Sequence, residues 1–306
     1  MKTYSTDQIR NIVLLGNSGA GKTLLAETML FEGKIIDRRG DIDSGNTVSD
    51  YHDIEQENGN SVFPSVLHTI SGDKKINIID APGLDDFVGG AITGLHVADT
   101  TLIVINGQNG VEVGAEIHNR YASQKNKPTI IAVNQLDHDK ANFEKSIETL
   151  KESFGANVVL TQYPVAVGAD FNAIIDLVTM KMFKYGPDGG KPEILDIPDS
   201  EKDKAEELHG ELIEKAAESD EKLMEIFFEN DSLTEEEMMN GLKKGIISRG
   251  LFPVLCVSAK KNIGVGRMSE FIANSAPSPA EMPVPVDTDG EEHPTDASGP
   301  ASLFVF

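Results

Sequence analysis

The sequence predicts an α/β fold: a mostly parallel sheet with helices on both faces, one antiparallel edge strand and an inserted α+β subdomain. Three observations predict it. Strand-like apolar runs alternate with helix-like segments across residues 10–154, the pattern of a parallel sheet covered on both sides. Two of those runs are separated only by Ser71-Gly72-Asp73-Lys74, a gap of hairpin size, so one strand should pair antiparallel at an edge. A glycine-rich stretch also joins the first apolar run to the first helix-forming segment.

In chain order, the strand candidates are residues 11–15, 65–70, 76–79, 101–105 and 129–133. A longer apolar run at 158–167 supplies a further strand, and residues 253–257 a last one. Between them the composition shifts. Residues 168–250 hold a short apolar segment, the turn-forming Gly186-Pro187-Asp188-Gly189-Gly190, and then acidic amphipathic helices with Leu208, Leu212, Ile213 and Ala216 at helical spacing. Across 193–240 there are roughly four acids for each base, which reads either as solvated helix faces or as a docking surface for a basic partner. Residues 276–300, rich in Pro, Ser and Asp, read as a linker. The expected organisation is one domain of residues 1–167 and 251–275, an inserted acidic subdomain at 168–250, the linker, and at 301–306 the start of a following domain.

The 306 residues carry 50 acids against 27 bases, a net charge of −23, so the surface has no general attraction to nucleic acid or anionic lipid. Neither a sequence-specific DNA partner nor a membrane partner is expected. The one cysteine, Cys256, cannot form an internal disulfide and sits in an apolar run, as a buried structural thiol in a reducing compartment would. The apolar run near the N-terminus is too short for a signal peptide or a span, so a cytoplasmic location is the default.

The stretch Gly16-Asn17-Ser18-Gly19-Ala20-Gly21-Lys22-Thr23 precedes Leu24 and a helix-forming run. Backbone N–H groups of such a loop can close around a polyphosphate at a helix N-terminus, Lys22 can reach the β- and γ-phosphates, and the Thr23 hydroxyl is placed for Mg²⁺. Asp80-Ala81-Pro82-Gly83 follows a strand candidate, so Asp80 can hold Mg²⁺ through water while the Gly83 N–H faces the γ-phosphate. Asn134-Gln135-Leu136-Asp137 follows another; the Asp137 carboxylate can accept from guanine N1–H and N2–H₂, a donor pair adenine lacks. Ser258-Ala259-Lys260 follows the last, with the Ala259 N–H available to guanine O6. The ligand expected is GTP or GDP with Mg²⁺.

With these segments in view the chain resembles the guanine-nucleotide domain of the translational GTPases, and within them elongation factor G. Val48-Ser49-Asp50-Tyr51, Glu55-Gln56-Glu57-Asn58-Gly59-Asn60-Ser61, Phe171-Asn172-Ala173-Ile174-Ile175-Asp176-Leu177 and Pro277-Ser278-Pro279 carry the likeness, as does the acidic insertion. The resemblance implies a P-loop NTPase G domain, a monomer, and a ribosome partner engaged through further domains and the acidic subdomain. It also implies that Ser61 binds Mg²⁺ when the switch closes. The chain departs from its relatives at the chemistry. They carry a histidine after Asp-x-Pro-Gly to position the attacking water; this chain has Leu84, which cannot hydrogen-bond water. Gly19 stands for an aspartate, Gln135 for a lysine, and Asn58-Gly59-Asn60-Ser61 for Arg-Gly-Ile-Thr. Losing such an orienting group lowers rate by about 10²- to 10⁴-fold, so hydrolysis is expected to be weak. A fully active ribosome-stimulated GTPase and a regulatory GTPase outside translation are the alternatives.

Overall fold

The computed structural model describes residues 2–295, Gly299 and residues 303–305. Its main sheet has seven strands: β1 (Ile9–Leu15), β2 (Ser65–Ser71), β3 (Lys74–Asp80), β4 (Thr100–Asn106), β5 (Thr129–Asn134), β6 (Val158–Leu160) and β11 (Phe252–Cys256). They lie in the order β2-β3-β1-β4-β5-β11-β6. All neighbouring pairs are parallel except β2 on β3, the edge hairpin expected from the short turn between them. Every residue of β4 and β5 is buried, and their middles are unbroken apolar runs, 102–105 and 130–133; edge strand β2 alternates, leaving Val66 exposed.

Helices α1 (Lys22–Glu32) and α9 (Val265–Ser275) pack together against β2 and β3, while α3 (Val88–Val97), α4 (Val113–Gln124) and α5 (Phe143–Phe154) form a second layer. α2 (Asp53–Asn58) is a short exposed turn of helix. The loops that follow β1, β3, β5 and β11 leave the carboxyl edge of the sheet together, the place where open α/β sheets bind ligands.

One strand expectation is corrected. The apolar run at 158–167 is two strands: β6 closes the main sheet, and β7 (Gln162–Pro164) begins another. The break comes at Thr161, whose N–H and hydroxyl both donate to the Val254 carbonyl, at 3.3 and 2.7 Å. The second sheet joins β7 to β8 (Ala173–Asp176), β9 (Lys181–Lys184) and β10 (Glu193–Leu195), and is antiparallel in the order β10-β9-β8-β7. Helices α6 (Asp199–Ala217), α7 (Glu221–Asn230) and α8 (Glu235–Ile247) follow it. Arg267 on α9 ties this sheet to the main body: it pairs with buried Asp176 at 3.1 Å and lies over the Phe183 ring.

Of the segment read as a linker, Ala276 to Ser278 are buried, and Lys243 pairs with Glu281 at 2.5 Å. Its residues 296–298 and 300 lie outside the described residues, as do 301, 302 and 306 of the expected following domain.

Candidate nucleotide site

A cleft at the carboxyl edge has two ends that share Gly21, Leu24 and Gln135. One end is lined by Ser18, Gly19, Lys22, Thr23, Asp50, Asn60, Ser61, Gly83 and Leu84; the other by Asn134, Asp137, His138, Ala259 and Lys260. The four strand-end segments singled out in the sequence therefore converge. Ala20 and Ser258 are buried beneath them, and Asn17 lies in the loop's first turn.

The glycine-rich loop needs its glycines where the chain is tightest. Gly16 has φ +138°, and a Cβ there would run into the Val104 carbonyl. Its N–H donates to His118 Nδ1 at 3.1 Å. Burial, then the Lys22 charge, pushes that histidine down to about 4, so it stays a neutral acceptor at physiological pH. Gly83 presses on the loop from outside: a Cβ would meet Lys22 Nζ and lie 2.8 Å from the Ser18 nitrogen. Lys22 Nζ donates to the carbonyls of Gly16 and Asn17, both at 3.0 Å.

At the phosphate end Thr23 and Ser61, the two hydroxyls expected at a metal, are 3.1 Å apart. Asp80 is 1 % exposed and both carboxylate oxygens lack a hydrogen-bond partner. Burial pushes it up to about 6 against the opposing pull of Lys22, whose own value burial brings down to about 8. Asp50, also buried and raised by burial, lines the same end, a role that its place in the sequence does not reveal. No group of three or more His, Cys, Asp or Glu is arranged as a metal cage among the described residues. Two hydroxyls with an orphaned buried carboxylate suit instead a hydrated Mg²⁺ that takes its other ligands from phosphate and water. Leu84, 37 % exposed, opens a short 3₁₀ turn at Asp85–Phe87 and offers this end no hydrogen-bonding group.

The base end is braced internally. Asn134 is 1 % exposed; its Nδ2 donates to the Ala20 carbonyl at 2.9 Å, and its Oδ1 accepts from the Ala259 N–H at 3.0 Å. That second bond occupies the N–H expected to meet guanine O6, because a buried amide must satisfy both of its ends. The next N–H, that of Lys260, has no hydrogen bond among the described residues. Gln135 lies across the glycine-rich loop, donating to the Gly19 carbonyl at 2.8 Å and accepting from Gln108 at 2.9 Å.

Two buried glutamates hold the segment that links the ends, and sequence reasoning missed their role. Glu27 on α1 accepts from the N–H groups of Gly40 and Val48, at 2.7 and 2.9 Å. Glu55 accepts from those of Val62 and Phe63, both at 3.0 Å. Each is 1 % exposed. Ser18 then reaches Asn60 at 3.3 Å, bringing the segment onto the glycine-rich loop.

Comparison with known proteins agrees with this geometry. Residues 7–278 match the elongation factor Tu GTP binding domain family. A crystal structure of a protein from Thermus thermophilus superposes with a TM-score of 0.84 at 28 % identity, covering 90 % of this chain and 41 % of that one. The chain thus spans about two fifths of that relative's length. With a match over most of its length and a cleft built from all four expected loops, the chain belongs to the elongation factor Tu GTP-binding domain family and is the G domain of a translational GTPase.

Proposed function

We propose that this G domain serves a factor of the elongation factor G type, acting on the ribosome in translocation as a GTP-driven switch with weak hydrolysis. The observation that carries the weak hydrolysis is Leu84. It lines the phosphate end of the cleft at the position following Asp80-Ala81-Pro82-Gly83, where the resemblance calls for a water-orienting histidine. In this reading Lys22 and the 17–23 loop hold the phosphates. Thr23, Ser61 and Asp80, with Asp50 behind them, hold a hydrated Mg²⁺. Asp137 accepts from the guanine donors, Asn134 and Gln135 fix the base end to the glycine-rich loop, and the turn Ser258-Ala259-Lys260 meets O6. Bound Mg²⁺ would supply charge neutralisation at the β- and γ-oxygens.

We further assign residues 1–167 and 251–275 to the G domain, 168–250 to the inserted acidic subdomain, 276–300 to a linker and 301–306 to the start of a following domain. Contacts to the ribosome would come from that following part and from the acidic helices. The protein is read as a cytoplasmic monomer; no described helix is long and apolar enough to cross a membrane. A fully active, ribosome-stimulated GTPase is the second reading, favoured by the family match over 7–278.

Co-sedimentation with ribosomes tests the role. Retention with a non-hydrolysable GTP analogue and release with GDP are expected; equal behaviour with both nucleotides would contradict a GTP-driven ribosomal switch.

A further inference from the structure

Arg39 reaches from the segment after α1 to the far end of the cleft. Its Nη1 donates to the carbonyl of Ala259 at 2.8 Å and to that of Lys260 at 3.2 Å. Thr28 on α1 shares the first of these carbonyls at 3.0 Å, and the guanidinium lies over the Phe31 ring, 5.8 Å from its centroid. The very next N–H, of Gly40, is held by Glu27. Arg39 is therefore fixed between α1 and the 258–260 turn, at the start of the segment that ends with Ser61 against Thr23. A planar guanidinium is suited to this: it keeps its charge and offers several donors to two adjacent carbonyls.

We infer that Arg39 is a positioning residue for guanine O6, making the grip of the Ala259–Lys260 turn on the base depend on the order of residues 39–61. The Lys260 N–H, which has no hydrogen bond among the described residues, lies in the same peptide unit as the Ala259 carbonyl that Arg39 holds, so the guanidinium fixes the direction of that donor. Movement that frees Gly40 from Glu27 withdraws the guanidinium, and the turn is left to Asn134, Thr28 and its own bonds, from the Lys261 N–H to Ser258 Oγ and between Ser258 and Ile263. Base recognition and the phosphate-end switch are then one linked equilibrium. This inference rests on the proposed reading of the base end.

The test compares wild type with Arg39→Ala and Arg39→Lys in binding GTP, inosine triphosphate and 6-thioguanosine triphosphate, with circular dichroism to verify the fold. The thio analogue weakens only the acceptor at position 6; inosine lacks only the 2-amino group. Wild type should prefer GTP over the thio analogue. Arg39→Ala should weaken GTP and inosine triphosphate alike, by about fivefold for one lost hydrogen bond, while the thio analogue changes less, so the preference shrinks. Arg39→Lys, which can still donate to Ala259, should recover part of it and serves as the readout if the alanine variant is unfolded. A wild type indifferent to the thio analogue would overturn the O6 reading and this inference with it. Normal discrimination in wild type that neither variant alters, or an equal loss for all three nucleotides, would overturn the role of Arg39 alone.

Discussion

The two ends of the cleft are built on different terms. At the base end the polar groups already bond to one another: Asn134 spends both ends of its amide on Ala20 and Ala259, and Gln135 bridges Gly19 and Gln108. At the phosphate end Asp80 is buried with neither oxygen partnered, and the hydroxyls of Thr23 and Ser61 have mainly each other. Selectivity for a base requires a rigid frame; a switch requires groups left unsatisfied until the ligand arrives, because that stored electrostatic cost is returned only on binding. The link between the ends is a segment with exposed Tyr51, Ile54 and Phe63, held by two carboxylates rather than by a core.

The sharpest way to break the comparison is at the base end. Asp137→Asn should lower GTP affinity by about 10³-fold or more, with binding regained for xanthosine triphosphate, whose 2-oxo group can accept from the new amide. Failure to regain binding would remove Asp137 from base recognition.

The phosphate end should instead titrate. Asp80, raised by burial to about 6, is protonated below that pH in the free protein, and Mg²⁺ must displace the proton; Lys22, lowered by burial to about 8, is neutral above that pH and loses its pull on phosphate. Affinity for Mg²⁺-GTP should therefore fall on both sides of pH 6–8, by up to about tenfold per pH unit in each limb. A flat profile from pH 5 to 9 would contradict the account of Asp80 and Lys22 as buried groups whose charges the ligand and its metal compensate.

A smaller effect is expected in the linking segment. Glu55→Gln keeps an acceptor for Val62 and Phe63 but removes the charge, so hydrogen exchange at those two amides should quicken by about tenfold, with protection of β5 unchanged. Equal loosening of β5 would mean that Glu55 supports the whole domain.

The strand-end loops were legible because each interrupts an apolar run with residues whose chemistry is local: glycines, Asp80, Asn134, Asp137. The parallel sheet followed from strand-like runs that alternate with helix-like segments, and the edge hairpin from a four-residue turn. The division of 158–167 was not legible, because its cause is the bond from Thr161 to Val254, far along the chain. Glu27, Arg39 and His118 escaped for the same reason. A buried glutamate in α1 looks like any helix-forming residue, and α1 has no clean polar face because nearly all of its first nine residues are buried. Asp50 lies within a segment that carries the family likeness, yet only the fold brings it to the phosphate end beside Ser61.

The most direct test of the account is single-turnover release of γ-phosphate from GTP, with and without ribosomes, for the protein and its Leu84→His variant. The account predicts slow release from the protein even on ribosomes, and acceleration by about 10²-fold or more when the imidazole is supplied. Fast ribosome-stimulated release from the unaltered protein would contradict it and show that another group orients the water.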